Sequence, residues 1–173
     1  MLDGKQEDTI YRELQQHLDE MPIGFPKADS GSDIDLLKIL FTPKEAKIAT
    51  FLKFGWYRDI ESLDKIYERI RSKGISFKKL ERTLGIMAKK GLILSKKVGN
   101  KKFFGNAPLI IGIYEFQVDK LTKTFLDVFS TYISEIWGEK ANPTEYDQMR
   151  FIPVEVNVEP ELGIAQYDNV RRI

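Results

Sequence analysis

The residues best suited to chemistry in this chain are cations. Lys78, Lys79, Arg82 and Lys90 occupy one segment, and Lys96, Lys97, Lys101 and Lys102 the next. Ammonium and guanidinium groups in such numbers neutralise phosphates and release counterions, which is the sequence-independent source of DNA affinity. Reading a base edge calls for Arg, Asn or Gln near a helix start, and only Arg82 is of that type here. A solvated basic face and a docking surface for an acidic partner are the alternatives for the same residues. The charge is local: Asp64 to Lys102 holds thirteen Lys/Arg against three Asp/Glu, while Met1 to Glu45 holds five against ten. A chain with a net charge of only +1 thus divides into a basic and an acidic region, a pattern that points to a polyanionic partner for the basic one.

Other chemistries lack their residues. His17 is the single histidine; Glu13, His17 and Glu20 fall along one side of a helix, but a structural zinc needs four ligands, commonly including Cys or several His. Asp33 and Asp35 diverge on a helix, and Asp33 suits a cap better than acid–base work. No Walker loop, dinucleotide fingerprint or G-x-S-x-G elbow occurs. The absence of cysteine excludes disulfides, a thiolate nucleophile and a thiolate-held cluster within these residues. The expectation is a chain with no catalytic site, metal site or cofactor of its own. Trp56, Tyr57, Phe103 and Phe104 fit either an aromatic platform for bases or, more simply, core and wing packing.

The cations need a scaffold, and the sequence predicts one. Thr42-Pro43-Lys44-Glu45 is a capping box with proline at the first helical position, opening a helix to about Phe54. A second helix spans about Ile60 to Lys73 and ends at Gly74; a third, capped by Ser76, runs to Lys90 with Phe77, Leu80, Leu84, Met87 and Ala88 inward, and Gly91 closes it. Leu92–Leu94 and Lys102–Phe104 read as strands around a turn at Val98-Gly99-Asn100. Helix, helix-turn-helix and basic hairpin make a winged helix-turn-helix over residues 42–106, whose third helix would enter a major groove.

Around it stand a helical extension over 1–41 and a segment over 107–173, together one structural unit of mainly α class. The extension holds amphipathic helices at Gln6–Glu20 and Ser32–Phe41, the latter capped by Ser32 or Asp33. Leu109 to Trp137 reads as one long apolar helix, buried on two sides. One side packs on the winged helix; for the other, a homodimer and burial within one chain are alternatives. A polar loop over 138–148, an extended segment at Arg150–Val158 and a helix opening at Tyr167–Ile173 complete the prediction, and a chain that stops as an element begins suggests part of something longer. At 173 residues and 42% hydrophobic, with no membrane-spanning run and no signal peptide, the chain reads as a globular cytoplasmic protein.

Met21-Pro22-Ile23-Gly24-Phe25-Pro26, the Leu36 to Lys47 stretch, Gly105-Asn106-Ala107-Pro108-Leu109 with Gly112 to Gln117, and Phe151-Ile152-Pro153-Val154 carry a resemblance. Together, in this order and spacing, they resemble the N-terminal region of the bacterial and archaeal 4Fe–4S ferredoxin-type iron–sulfur binding domain proteins. In that family the cluster-binding cysteines follow the region matching Tyr167–Ile173, and none is present here. The resemblance implies a cluster-bearing parent, with this chain as its cysteine-free N-terminal part or as a relative lacking the cluster half. It implies 4Fe–4S clusters for the parent and the cluster-bearing C-terminal part as a partner. The function so implied is a non-catalytic recognition module of an electron-transfer protein; a DNA-binding, redox-linked regulator is the alternative.

Overall fold

The computed structural model describes residues 4–21, 24–55 and 60–138, and is mainly helical with one small sheet. Its helices are α1 (Gly4–Asp19), α2 (Ser32–Leu40), α3 (Pro43–Ala49), α4 (Leu63–Ile70), α5 (Phe77–Lys90) and α6 (Lys123–Gly138). Strands β1 (Glu61–Ser62), β2 (Ile93–Val98) and β3 (Lys101–Asn106) form an antiparallel sheet in the order β1-β3-β2. The expectations for residues 139–173, and those for Trp56 and Tyr57, lie outside the described residues.

The capping box at α3 forms as its residues dictate. The Glu45 amide donates to Thr42 Oγ1 at 3.3 Å, and the Thr42 amide donates to Glu45 Oε2 at 2.9 Å. The helix then stops at Ala49, well short of the expected Phe54. A buried asparagine is the reason: Asn106 Nδ2 donates to the carbonyls of Ala49 (2.9 Å) and Leu52 (3.1 Å), and its amide donates to Lys53 O (2.9 Å). These bonds draw the chain aside to bridge β3 at Phe54.

A similar competition shortens α4. Glu61 and Ser62, expected as helix, pair instead with Phe104 and Phe103. The helix begins at Leu63, tightens to a 3₁₀ turn at Arg71–Lys73 and ends at Gly74, whose φ of 76° is costly for a residue with a Cβ. Helix α5 matches its expected bounds and buries Leu80, Leu84 and Met87 completely. Phe77, expected inward, is partly exposed and meets the Tyr67 ring edge-on at 5.2 Å. Strands β2 and β3 are longer than expected and close through Gly99-Asn100, with Gly99 at φ 58° as a type II′ turn requires of its first central residue.

The single helix expected from Leu109 to Trp137 does not exist. Pro108 opens a wide turn over Leu109–Ile113, closed by Ile113 N to Pro108 O and Tyr114 N to Leu109 O, each 2.9 Å. Ile111 there is left-handed (φ 59°, ψ 48°), an outlier for a β-branched residue. A 3₁₀ turn covers Glu115–Lys120, Leu121 is extended, and Thr122 starts α6 by accepting from the Phe125 amide at 3.2 Å. Apolar residues of two separate segments had simply fallen in phase. Phe116 and Val118, assigned to the buried stripe, are exposed, and a dimer through a 109–137 helix loses the continuous face it needed.

Helix α6 packs on α2 and on the 114–120 segment. Phe25 stacks on Tyr132 at 4.9 Å, the Tyr132 hydroxyl donates to Pro26 O at 3.0 Å, and Tyr114 stacks on Phe129 at 4.3 Å. Gly31, not Ser32 or Asp33, precedes α2, and the Glu135 carboxylate from α6 accepts the amides of Asp29 and Ser30 and the Ser30 hydroxyl. A side chain of α6 thus clasps the turn that leads into α2. One hydrophobic core, from Tyr11 to Ile136, joins every helix. No helix among the described residues is long and apolar enough to cross a membrane.

Candidate nucleic-acid interface

Helix α5 turns its cations outward because Leu80, Leu84 and Met87 claim the opposite face. Lys78, Lys79 and Arg82 are exposed, and none has a carboxylate within 4 Å among the described residues. Lys78, Arg82, Gly85 and Lys89 follow one another at four, three and four residues, a straight line along the helix surface. Gly85 interrupts the line of long side chains, and a Cβ built on it meets nothing within 4 Å. A mid-helix glycine with open space above it costs about 1 kcal/mol against alanine. It leaves the backbone approachable between Arg82 and Lys89.

The hairpin carries the second group. Lys97 lies opposite Lys102 on one face, and Lys101 opposite Val98 on the other. Lys102 is not free: its ammonium meets Glu81 of α5 at 2.9 Å, which ties the hairpin to the helix. Lys96 lies over the Phe103 ring at 5.3 Å, a cation–π contact. Lys97 and Lys101 remain exposed at the tip without a carboxylate partner among the described residues. Phe104 is buried and Phe103 is covered, so the hairpin aromatics pack the sheet and offer no stacking platform.

Lys90 belongs to a different construction. Its ammonium lies 2.8 Å from both oxygens of Glu45, whose side chain is only 7% exposed. Burial pushes the Glu45 carboxyl up, but hydrogen bonds from Lys90 and Thr42 outweigh it, and its pKa lies below the usual carboxylate range. The carboxylate therefore serves the capping box and the ion pair together. Beside it, Gln117 Nε2 donates to Lys90 O at 2.8 Å, and Lys120 Nζ donates to the carbonyls of Lys89 and Lys90 at 3.1 and 3.2 Å. These donors satisfy carbonyls that a helix end leaves open.

The metal-like side of α1 is likewise spoken for. His17 Nε2 lies 2.8 Å from Leu52 O and its ring rests on Phe54 at 4.5 Å, while Glu13 pairs with Lys47. Among the described residues no group of three or more His, Asp or Glu is placed to hold a metal. Asp33 is fully buried beside Arg12, a structural ion pair in place of the expected cap.

No family model, curated protein or solved structure matches this chain. The site therefore stands on its own geometry: a cationic row on one helix without carboxylate partners among the described residues, a cationic hairpin tip, and an ion pair joining one to the other. Lys89 and Gly85 completed the row without being singled out from the sequence, although their spacing from Lys78 and Arg82 was visible there.

Proposed function

We propose that residues 42–106 form a winged helix-turn-helix that binds duplex DNA chiefly through its phosphates. Support comes from the order α3, β1, α4, α5, β2, β3, the sheet order β1-β3-β2, and the short turn at Gly74 between α4 and α5. The observation that carries the reading is the exposure of Lys78, Lys79 and Arg82 on the outward face of α5, without ion-pair partners among the described residues. In this arrangement α5 lies in the major groove, Gly85 admits the groove wall, and Lys97 and Lys101 reach the flanking backbone. With Arg82 the one side chain on the outward face of α5 suited to bidentate base readout, affinity is largely sequence-independent.

Fluorescence anisotropy with random duplex DNA across a salt series tests this. Binding should weaken with salt. The log–log slope should shrink by about 0.9 for each phosphate that Lys78→Ala, Lys79→Ala or Arg82→Ala leaves without its cation. A wild-type chain that fails to bind at low salt removes the reading.

A second reading has its own support. Ile86 on α5 is 42% exposed and Ile39 on α2 is 40% exposed, apolar surface that suits a protein partner better than a phosphate backbone. On this reading the chain is the non-catalytic recognition module of a ferredoxin-type iron–sulfur protein, and its partner is the cluster-bearing part of that protein. Absence of DNA binding leaves this second reading standing.

A further inference from the structure

Between α2, α5 and the start of α6 lies an open groove of about 450 Å³. Ile39, Ile86, Leu92 and Phe125 form its apolar walls, and Lys89 and Lys120 stand at its rim. Two of those walls, Ile39 and Ile86, are among the exposed large hydrophobic residues of the molecule. Neither rim lysine has a carboxylate within 4 Å among the described residues. Lys90, which also borders the groove, is neutralised by Glu45. The groove thus asks for an occupant with closely spaced apolar side chains and negative charge.

The chain contains such a segment. Phe151 to Leu162 reads FIPVEVNVEPEL, with Val154, Val156 and Val158 at alternate positions and Glu155, Glu159 and Glu161 as its only charges. Alternation places the valines on one side of an extended strand and Glu155, Asn157 and Glu159 on the other. Pro153 and Pro160 remove backbone donors, so such a segment suits a groove or an edge better than a sheet interior. Reach is sufficient. Helix α6 is 16 residues, about 24 Å, and Phe125 lies near its start. The twelve residues from 139 to 150 can span about 40 Å, enough to return from Gly138 to the groove.

We propose that the Phe151–Leu162 segment of the same chain docks in this groove, valines against Ile39, Ile86 and Phe125, glutamates within reach of Lys89 and Lys120. The proposal rests on neither reading above, but it takes Lys89 from the cationic row on α5 and Ile39 and Ile86 from the surface offered to a protein partner. It accounts for two exposed isoleucines beside two lysines that have no carboxylate partner among the described residues.

Because the chain has no cysteine, a single spin label can be placed at will. In the full-length chain carrying a nitroxide at Leu126→Cys, an exposed position beside the groove but not lining it, the amide NMR signals of residues 154–158 should lose most of their intensity and regain it when ascorbate reduces the label. Glu155→Lys with Glu159→Lys should restore at least half of that intensity without reduction. The same label at Val118→Cys, also exposed and outside the groove lining, gives the equivalent result if Leu126→Cys perturbs folding. Signals of 154–158 that keep full intensity with both labels overturn the proposal. Broadening that arises only between a spin-labelled chain and a separate isotope-labelled chain also overturns it, since the occupant is then a second copy. Broadening unchanged by the two charge reversals overturns the role of the lysine rim.

Discussion

The two ends of α5 use lysine for opposite purposes. At its start Lys78 and Lys79 project into solvent with no carboxylate near them among the described residues. At its end Lys90 grips a nearly buried glutamate, and the carbonyls of Lys89 and Lys90 are closed by Gln117 and Lys120. A partnered, half-buried cation contributes to stability and is unavailable to a ligand. An exposed, unpartnered one adds little to stability and keeps its charge for phosphate. One helix therefore separates a holding end from the end that we propose binds DNA.

The largest effect should come from breaking the holding end at Gly91. Its φ is 79°, and a Cβ there would collide with Phe116 Cβ. Gly91→Ala should destabilise the fold by about 2–4 kcal/mol, combining left-handed strain with overpacking. Urea unfolding measures this, and a loss under about 1 kcal/mol would show that the 114–120 segment is not firmly docked. Next comes Lys90→Ala, which leaves Glu45 poorly compensated and should cost about 1–2 kcal/mol, less than a fully buried pair because Lys90 is partly exposed. The Glu45 pKa is lowered in the folded state, so its contribution is complete above the ordinary carboxylate value of about 4.3 and fades as pH falls through the lower folded value. Wild-type stability should accordingly drop more steeply below pH about 4.5 than that of Lys90→Ala. Parallel slopes would argue against the pair.

The proposed binding end should answer more gently and in the opposite sense. Gly85→Ala should stabilise the fold by about 0.5–1 kcal/mol, because the position is helical, outward and open. On the proposed reading it should also weaken duplex DNA binding, since a methyl then stands where the groove wall would approach. Stabilisation with unchanged DNA affinity would place the approach of the duplex away from the middle of α5. Smallest of all, Lys79→Ala should alter stability by less than about 0.5 kcal/mol, as judged by thermal unfolding.

Features whose causes lie within a few residues were legible beforehand. The Thr42–Glu45 box, the left-handed ends at Gly74 and Gly91, and the buried row Leu80, Leu84, Met87 all follow from local rules. Features set across the chain were not. Glu61 and Ser62 look helical until β3 offers them partners, and α3 looks longer until Asn106 takes its carbonyls. Lys90 resembles its neighbours in every local respect; only a glutamate forty-five residues earlier distinguishes it. The break between Gly112 and Thr122 was hidden because Val118 and Leu121 continue a helical period that the backbone does not follow.

Tyr132 and Glu135 meet Pro26, Asp29 and Ser30 across more than a hundred residues. During synthesis the beginning of the chain must therefore wait for nearly everything described here before Phe25 gains its stacking partner and the amides before α2 their acceptor. Closing so long a loop is slow relative to forming the local helix–hairpin unit between them. On the ribosome, the middle of this protein should be ordered first and α1 should join it through α3, with the Phe25–Ser30 segment and α2 only provisionally placed until α6 emerges to latch them.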